Sequence, residues 1–400
     1  MWCIPVITGS HSSVSRAAAR PGVDSQTLIV KDEAHKNDRD TSRKTGASPA
    51  AKNGETFKKL RVIVLCHEDL VPPESIDGLT PKEVSPYKTE WDVISTLKKM
   101  GHEVYPVGVY NNLGVIGNAL LEHKPQVAFN LLEEFHGYPL YDQHVVSYLE
   151  LMKQPYTGCN PRGLTICRDK ALSKMVLAYH HIHVPSFAVF HMNRVVKRSK
   201  RLKFPLLVKS ISEEGSVGIA RASIVNDDEK LAERVEFIHR QTKTHAIAEQ
   251  YIAGREIYVS VIGNQRLQTY TPWELVIEKL PEGAPNIATA KLKWDPAYQE
   301  KVGVVTKAAE LDKKMVDKIE RLSKRIYRTL FLSGYARLDY RVTDSGEIYL
   351  LEANPNPQIA NAEDFADSAK HCGVDYESLL QKIIALGLRY RTGAESVPSA

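Results

Sequence analysis

Apolar positions along this chain fall into runs whose period changes, and each change marks an element. Residues 60–66 read Leu-Arg-Val-Ile-Val-Leu-Cys, a β-branched run of the kind buried on both faces of a parallel sheet. Trp91, Ile94, Leu97 and Met100 then recur at helical spacing, and Gly101 stops them. A strand at 103–107, a helix at 117–123, a strand at 127–130 and a helix at 141–152 follow, ending in the turn Pro155-Tyr-Thr-Gly158. Strands alternating with helices predict a parallel α/β sheet.

The pattern then changes character. A helix at 168–181 precedes strands at 187–190 and 205–209, and a loop with Gly215 and Gly218 leads to a strand at 219–225. A helix at 228–241 and strands at 246–251 and 256–262, bracketing Gly254, complete an α+β unit of largely antiparallel strands. Residues 311–332 form a long amphipathic helix. Strands at 334–342 and 347–353 make a hairpin around Asp344-Ser-Gly346. There is no internal repeat. Residues 1–57 are poor in large apolar side chains after Ile7, and 31–55 show no period, which predicts a disordered extension.

Composition narrows the class. At 400 residues the chain exceeds one comfortable core, and 43% hydrophobic with 25% charged residues is the balance of a soluble globular protein. A net charge of +5 suits anionic substrates such as nucleotides but is too diffuse for nucleic acid. No apolar run approaches the roughly 18 residues that span a bilayer. Cys3, Cys66, Cys159, Cys167 and Cys372 form no C-x-x-C pair, which fits a reducing compartment. The stretch Met1 to Gly9 lacks a preceding basic residue and a cleavage site, so no signal peptide is expected and the cytoplasm is the default. His180, His181 and His183 read as structural or solvated, and the basic run 197–203 as a solvated loop. Trp273 and Glu274 fit either core packing or a substrate face.

The hairpin carries the most chemistry. With a loop of two or four residues, Arg337 lies opposite Glu352 and Asp339 opposite Leu350. Arg337, Asp339, Glu352 and Asn354 then share one face, and Ala336, Leu338, Tyr340, Tyr349, Leu351 and Ala353 share the other. A three-residue loop breaks this parity. Two carboxylates and an amide on apolar strands need neutralisation, and oxygen-only ligands with open positions suit Mg²⁺ shared with phosphates. The alternative is a surface hairpin with Arg337 paired to Glu352. Lys209 ends a strand before a loop containing Ser210, Ser212, Gly215, Ser216 and Gly218, whose N–H groups could cradle phosphate. Taken alone, a strand-end lysine is more often solvated. Lys170, four residues before Lys174 on a helix, and Glu249-Gln-Tyr-Ile252 after a strand are equally ambiguous singly.

Their order is informative. Lys170 in Arg-Asp-Lys-Ala, Val208-Lys209 with its loop, Glu249-Gln-Tyr-Ile-Ala-Gly-Arg-Glu256, Ala336-Arg-Leu-Asp339 and Leu351-Glu-Ala-Asn354 together resemble the ATP-grasp enzymes. Within these they look most like the D-alanine–D-alanine ligase family, which Phe135-His-Gly137 and Pro155-Tyr-Thr-Gly158 also match. The resemblance covers roughly residues 59–390. It implies a Rossmann-like parallel α/β domain at 58–160, ATP-grasp subdomains at 161–254 and 255–392, and a tail at 393–400. It implies a carboxylate–amine ligase working through an acyl phosphate, with ATP and two Mg²⁺ (Mn²⁺ as a substitute), amino-acid-like carboxylate and amine substrates, and a homodimer as an allowed assembly. The alternatives are a ligase for a different amino acid or peptide, an ATP-grasp kinase, and a non-catalytic ATP-binding module.

Carried over by residue, the resemblance puts Lys170 and Lys209 on the phosphates of ATP. Glu249 and Ile252 line the adenine pocket, with Glu256 on the ribose. Lys293 reaches the terminal phosphate from a lid at 286–298. Asp339, Glu352 and Asn354 hold the metals, while Arg337 and Ser216 stabilise the carboxylate and the oxyanion. Three departures stand out. The glutamate expected to bind the first amino group is Glu83, with Glu68 competing. Glu213 and Glu214 stand where the phosphate loop is usually richer in glycine and serine. Glu363 and Asp364 stand where the family's donors hold the second substrate's carboxylate, which puts D-alanine as acceptor in question.

Overall fold

The first strand is a continuous apolar run because both its faces are covered. In a computed structural model, which describes residues 58–213, 219–279, 287, 289 and 296–391, β1 (Arg61–His67) is the centre of a three-stranded parallel sheet. Its neighbours are β2 (Glu103–Val109) and β3 (Val127–Asn130), in the order β2-β1-β3. Ile63 and Leu65 pack into one core with α2 (Leu113–His123) and α3 (Asp142–Leu151). Val62 and Val64 pack into another with α1 (Lys88–Lys99).

The helix expected at 168–181 forms from Lys170 to Tyr179, and a separate helix that the pattern missed precedes it. α4 (Pro161–Arg168) ends at Asp169, whose carboxylate accepts the N–H groups of Ala171 and Leu172 and so starts α5 (Lys170–Tyr179) anew. The side-chain cap outcompetes a continuous helix because it satisfies N–H groups at the new start. Next comes a four-stranded antiparallel sheet in the order β4-β7-β5-β6, from β4 (Phe187–Phe190), β5 (Leu206–Ser210), β6 (Ile224–Val225) and β7 (Ala246–Gln250). It is backed by α6 (Asp228–Thr242). The strand expected at 219–225 shrinks to β6, because Arg221–Ser223 turns as a 3-10 helix.

A third sheet runs β11-β10-β8-β12-β13. It comprises β8 (Arg255–Ile262), β10 (Trp273–Ile277), β11 (Val304–Ala308), β12 (Tyr335–Val342) and β13 (Ile348–Pro355), with β9 (Gln268–Thr269) on β8. Between β10 and β11 lies α7 (Pro296–Val302). The amphipathic helix α8 (Lys313–Thr329) sets Ile319, Ile326 and Tyr327 against Ala336, Leu338 and Tyr340 of β12. The sequence pattern missed β9, β10 and β11, and also α9 (Asp364–His371) and α10 (Tyr376–Arg389). No helix among the described residues is long and apolar enough to cross a membrane. The extension at 1–57, Ser216, Lys293, most of the lid candidate and the tail lie outside the described residues.

The hairpin register differs from expectation. Thr343 N–H donates to Glu347 O across Asp344-Ser345-Gly346, a three-residue turn, which by itself would send Glu352 to the core face. The ladder shifts between Asp339 and Tyr340. Tyr340 pairs with Leu350, but Asp339 pairs with Glu352 and Arg337 with Asn354. Leu351 is the extra residue of a bulge, and it returns the polar residues to one face. The core face therefore holds Ile348, Leu350 and Ala353, in place of the expected Tyr349 and Leu351.

Candidate active site

The polar face of β12 alternates Arg337, Asp339 and Arg341, beside Ser260, Tyr258 and Glu256 of β8. Arg337 donates two bonds to Asp339, at 2.8 and 3.0 Å, and stacks 4.6 Å from the Tyr258 ring centroid. It does not pair with Glu352. Asp339 outweighs the cost of burial and raises the Arg337 pKa, so this guanidinium stays charged. Asn354 donates its amide to Asp339 at 2.9 Å. Arg341 donates to Glu256 at 2.7 Å, and the Tyr258 hydroxyl donates to the same carboxylate at 2.9 Å.

Opposite this face stand three buried lysines. Lys170, Lys174 and Lys209 are 4%, 2% and 6% exposed, far below what lysines usually show. Lys170 and Lys174 lie one turn apart on α5 and so share its face. Lys170 Nζ sits 2.8 Å from Glu352 and donates to the Glu213 carbonyl at 2.6 Å. Lys174 and Lys209 each sit 3.2 Å from Glu249, and Lys174 also donates to the carbonyl of the bulged Leu351. Burial would raise the Glu352 pKa, but Lys170 and its neighbours hold it far below the carboxylate range. Glu249 is lowered against burial in the same way by Lys174 and Lys209. Burial pulls Lys174 down to about 8, whereas Glu249 and Glu352 outweigh burial at Lys209 and raise it. Three cations thus share two carboxylates, which leaves one positive charge for a ligand.

The arrangement can neutralise a polyphosphate from α5 and β5 while presenting oxygen ligands from β12 and β13. The family model described as D-ala D-ala ligase C-terminus matches residues 176–385. The chain belongs to the D-alanine–D-alanine ligase family. The D-alanine–D-alanine ligase of Aquifex aeolicus is 29% identical over 303 residues, covering 76% of this chain and 95% of the relative. The crystal structure of the Bacillus anthracis D-alanine–D-alanine ligase complexed with ATP has a TM-score of 0.63 at 25% identity, covering 82% of this chain and 98% of that one. The protein is an ATP-dependent ligase of the ATP-grasp type.

In this ligase the predicted residues Lys170, Lys209, Glu249, Glu256, Arg337, Asp339, Glu352 and Asn354 converge through the contacts above. Ile252 is half-buried in the connection from β7 to β8. Asp364 comes within 4.0 Å of Arg337, so its charge is met by a cation. Glu363, at the N-cap of α9, is half-buried, and burial raises its pKa. Glu83 is exposed and occupied in a capping box with Thr80. Glu68 lies in the 3-10 turn Glu68–Leu70 after β1. Trp273 packs with Tyr258, Leu275 and Val302, and Glu274 pairs with Arg255, so both serve the fold of the third sheet. Sequence reasoning passed over Lys174 as a site residue, although its spacing from Lys170 was the available signal.

Proposed function

We propose that this ligase moves the γ-phosphoryl group of ATP onto the carboxylate of an amino-acid-like substrate and joins the acyl group to an amine. The observation that carries this reading is the surplus of buried lysine charge facing the polar strand face of β12 and β13. Lys170, Lys174 and Lys209 bind phosphate oxygens, with Glu249 holding two of these lysines in place. Glu249 and Ile252 border the adenine, and Glu256 takes the ribose hydroxyls. Among the described residues no group of three or more His, Cys, Asp or Glu side chains is placed to hold a metal. Asp339 and Glu352, directly paired across the strands, with the Asn354 amide beside them, nevertheless form the oxygen set of a hard cation that takes further ligands from phosphate. Bound there, Mg²⁺, or Mn²⁺ in its place, supplies neutralising charge to the phosphates.

The carboxylate oxygen attacks the γ-phosphorus as the bond to ADP breaks, giving an acyl phosphate. Arg337 orients that carboxylate. The amine then attacks the acyl carbon, and Arg337 stabilises the oxyanion until inorganic phosphate leaves and the new nitrogen sheds a proton. By the family resemblance, Ser216 would assist there and Lys293 would meet the terminal phosphate, and water has to be kept from the acyl phosphate. Glu363 and Asp364 near the acceptor favour an amine less anionic than an amino acid, although Arg337 compensates Asp364. The test is ADP and phosphate release over a panel of amino acids and amines, with products weighed by mass spectrometry. The reading predicts equimolar ADP and phosphate with a condensed product. ADP without phosphate, together with a phosphorylated hydroxyl, would show a kinase instead.

A further inference from the structure

Cys372 is the one exposed thiol among the described residues, since Cys66, Cys159 and Cys167 are buried. It stands at the C-cap of α9, and a helix end of that kind is a poor place for negative charge. The segment between β9 and β10 packs against it and offsets this. The Thr271 N–H donates to Cys372 Sγ at 3.3 Å, and Thr271 Oγ1 lies 3.2 Å from the same sulfur. That hydroxyl also lies 3.1 Å from Nδ1 of His371. One hydroxyl thus joins a thiol to an imidazole. With Nδ1 unprotonated, it accepts the thiol proton while donating its own to the ring.

Cations and orphaned donors stand around this thiol. Lys382 of α10 donates to Gln268 Oε1 at 2.9 Å and holds its Nζ 5.8 Å from the Tyr270 ring centroid. Burial lowers the Lys382 pKa, and the Cys372 charge acts against that lowering, so the two groups interact. Lys370 adds a further cation in the last turn of α9. Tyr270 is fully buried, and burial followed by the Cys372 charge raises its pKa, yet its hydroxyl has no partner among the described residues. Trp273 is 9% exposed and meets the His371 ring edge-on at 6.0 Å, and its Nε1 has no partner either. Buried donors left unmet are rare, and two beside one thiol call for acceptors that a ligand brings. The cluster lies apart from the reacting face. α9 begins at Asp364, 4.0 Å from Arg337, and its length puts Cys372 about 12 Å further along.

We propose that Cys372 is a thiol-exchange site for small anionic disulfides, with Thr271 and His371 as positioning residues that carry its proton away. The Cys372 sulfur attacks one sulfur of the incoming disulfide. A new S–S bond forms at Cys372 as the incoming S–S bond breaks, and the departing thiolate leaves with the electron pair. The thiol proton passes through Thr271 Oγ1 to His371 Nδ1 and then to the departing thiolate, so the disulfide is the only oxidant. Lys382 and Lys370 favour a negatively charged disulfide, whose carboxylate oxygens are the acceptors that the Tyr270 and Trp273 donors lack. The site does not depend on the ligase reading.

Full-length protein carrying Cys3→Ser tests this by exposure to oxidised glutathione, with the adduct located by peptide mapping. The expected result is one glutathionyl adduct, at Cys372, reversed by dithiothreitol and absent from Cys372→Ser. Rates are then followed with the anionic reagent dithiobisnitrobenzoate and the neutral reagent dithiodipyridine. At neutral pH Cys372 should react with the anionic reagent about tenfold faster than free glutathione does. Thr271→Val keeps the N–H but loses the hydroxyl, and it and His371→Leu should each slow both reagents about tenfold, with Thr271→Ser restoring the rate. Lys382→Gln should slow the anionic reagent severalfold more than the neutral one. An adduct on another cysteine only, a Cys372 rate no greater than that of glutathione, or unchanged rates in Thr271→Val overturn the site. An unchanged ratio between the reagents in Lys382→Gln overturns the anionic preference. If Thr271→Val fails to fold by circular dichroism, the wild-type rate against glutathione and the Lys382→Gln ratio still decide.

Discussion

Lys170, Lys174 and Lys209 are buried around two carboxylates, so removing either acid strands positive charge. Glu249→Gln removes the carboxylate that sits 3.2 Å from both Lys174 and Lys209 and leaves them only the Glu352 charge they share with Lys170, at an expected cost of about 3 kcal/mol in urea unfolding. Asp339→Asn and Glu352→Gln should each reduce ATP turnover by about a hundredfold or more while the fold persists, as followed by coupled ADP release and circular dichroism. Near-normal turnover in both variants would dismiss the hairpin as the metal site. Glu90 gives a pH signature. Burial raises its pKa from 4.5 to about 7 in the folded state, so the folded protein holds the proton that the unfolded chain releases. Its contribution to stability is complete below about pH 4.5 and is lost as pH rises through 7. Unfolding at pH 5.5 and at pH 8 should show wild type losing about 2 kcal/mol more than Glu90→Gln across that interval. Parallel slopes would mean that Glu90 ionises freely.

Two local irregularities aim the site. Asp169 separates α4 from α5, and the new start places Lys170 at its first residue, within reach of Glu352 and Glu213. Asp169→Ala should cost about 1 kcal/mol in stability from the lost cap. It should also raise the KM of ATP severalfold, because α4 can then run on into α5 and swing Lys170 away. An unchanged KM would show that packing alone holds Lys170. In the hairpin, the bulge at Leu351 turns Glu352 and Asn354 back toward Arg337 and Asp339 after a turn of the wrong parity. The same bulge presents the Leu351 carbonyl to Lys174, so one inserted residue aligns the acids and anchors a lysine.

Across the molecule the turn at 158–160 meets the segment before β12 at a backbone contact that leaves no space for a side chain. Gly334, at φ 68°, precedes β12, and a Cβ there would lie 2.3 Å from the Gly158 carbonyl. Asn160 donates to Ser333 and Phe331, and Asn356 accepts from Cys159, so the turn at 158–160 is stitched to the segments just before β12 and just after β13. Gly334→Ala combines a disfavoured backbone with a backbone clash, and a loss of about 3 kcal/mol in unfolding free energy is expected. Deleting residues 1–55, by contrast, should shift the melting temperature by less than about 2 °C, since that segment has little apolar surface to bury. A drop of many degrees would show that it packs on the body.

The sequence by itself determined the parallel first sheet, the antiparallel second unit, the long helix under β12 and the polar face of the hairpin. Each is a local period, such as the apolar run at 60–66 or the alternation at 336–340, and burial on one face or two imposes it directly. The ordered motifs also carried the family and its ligase chemistry. Only the tertiary structure decided the partners. Arg337 pairs with Asp339 instead of Glu352, Glu352 with Lys170, and Glu249 spends its carboxylate on two lysines. These choices depend on a one-residue bulge, a cap that separates two helices, and cross-sheet distances that no period encodes. Glu90 is the sharpest case. In the sequence it is an ordinary acid at a helix start, and only the packing of distant segments around it makes its charge costly.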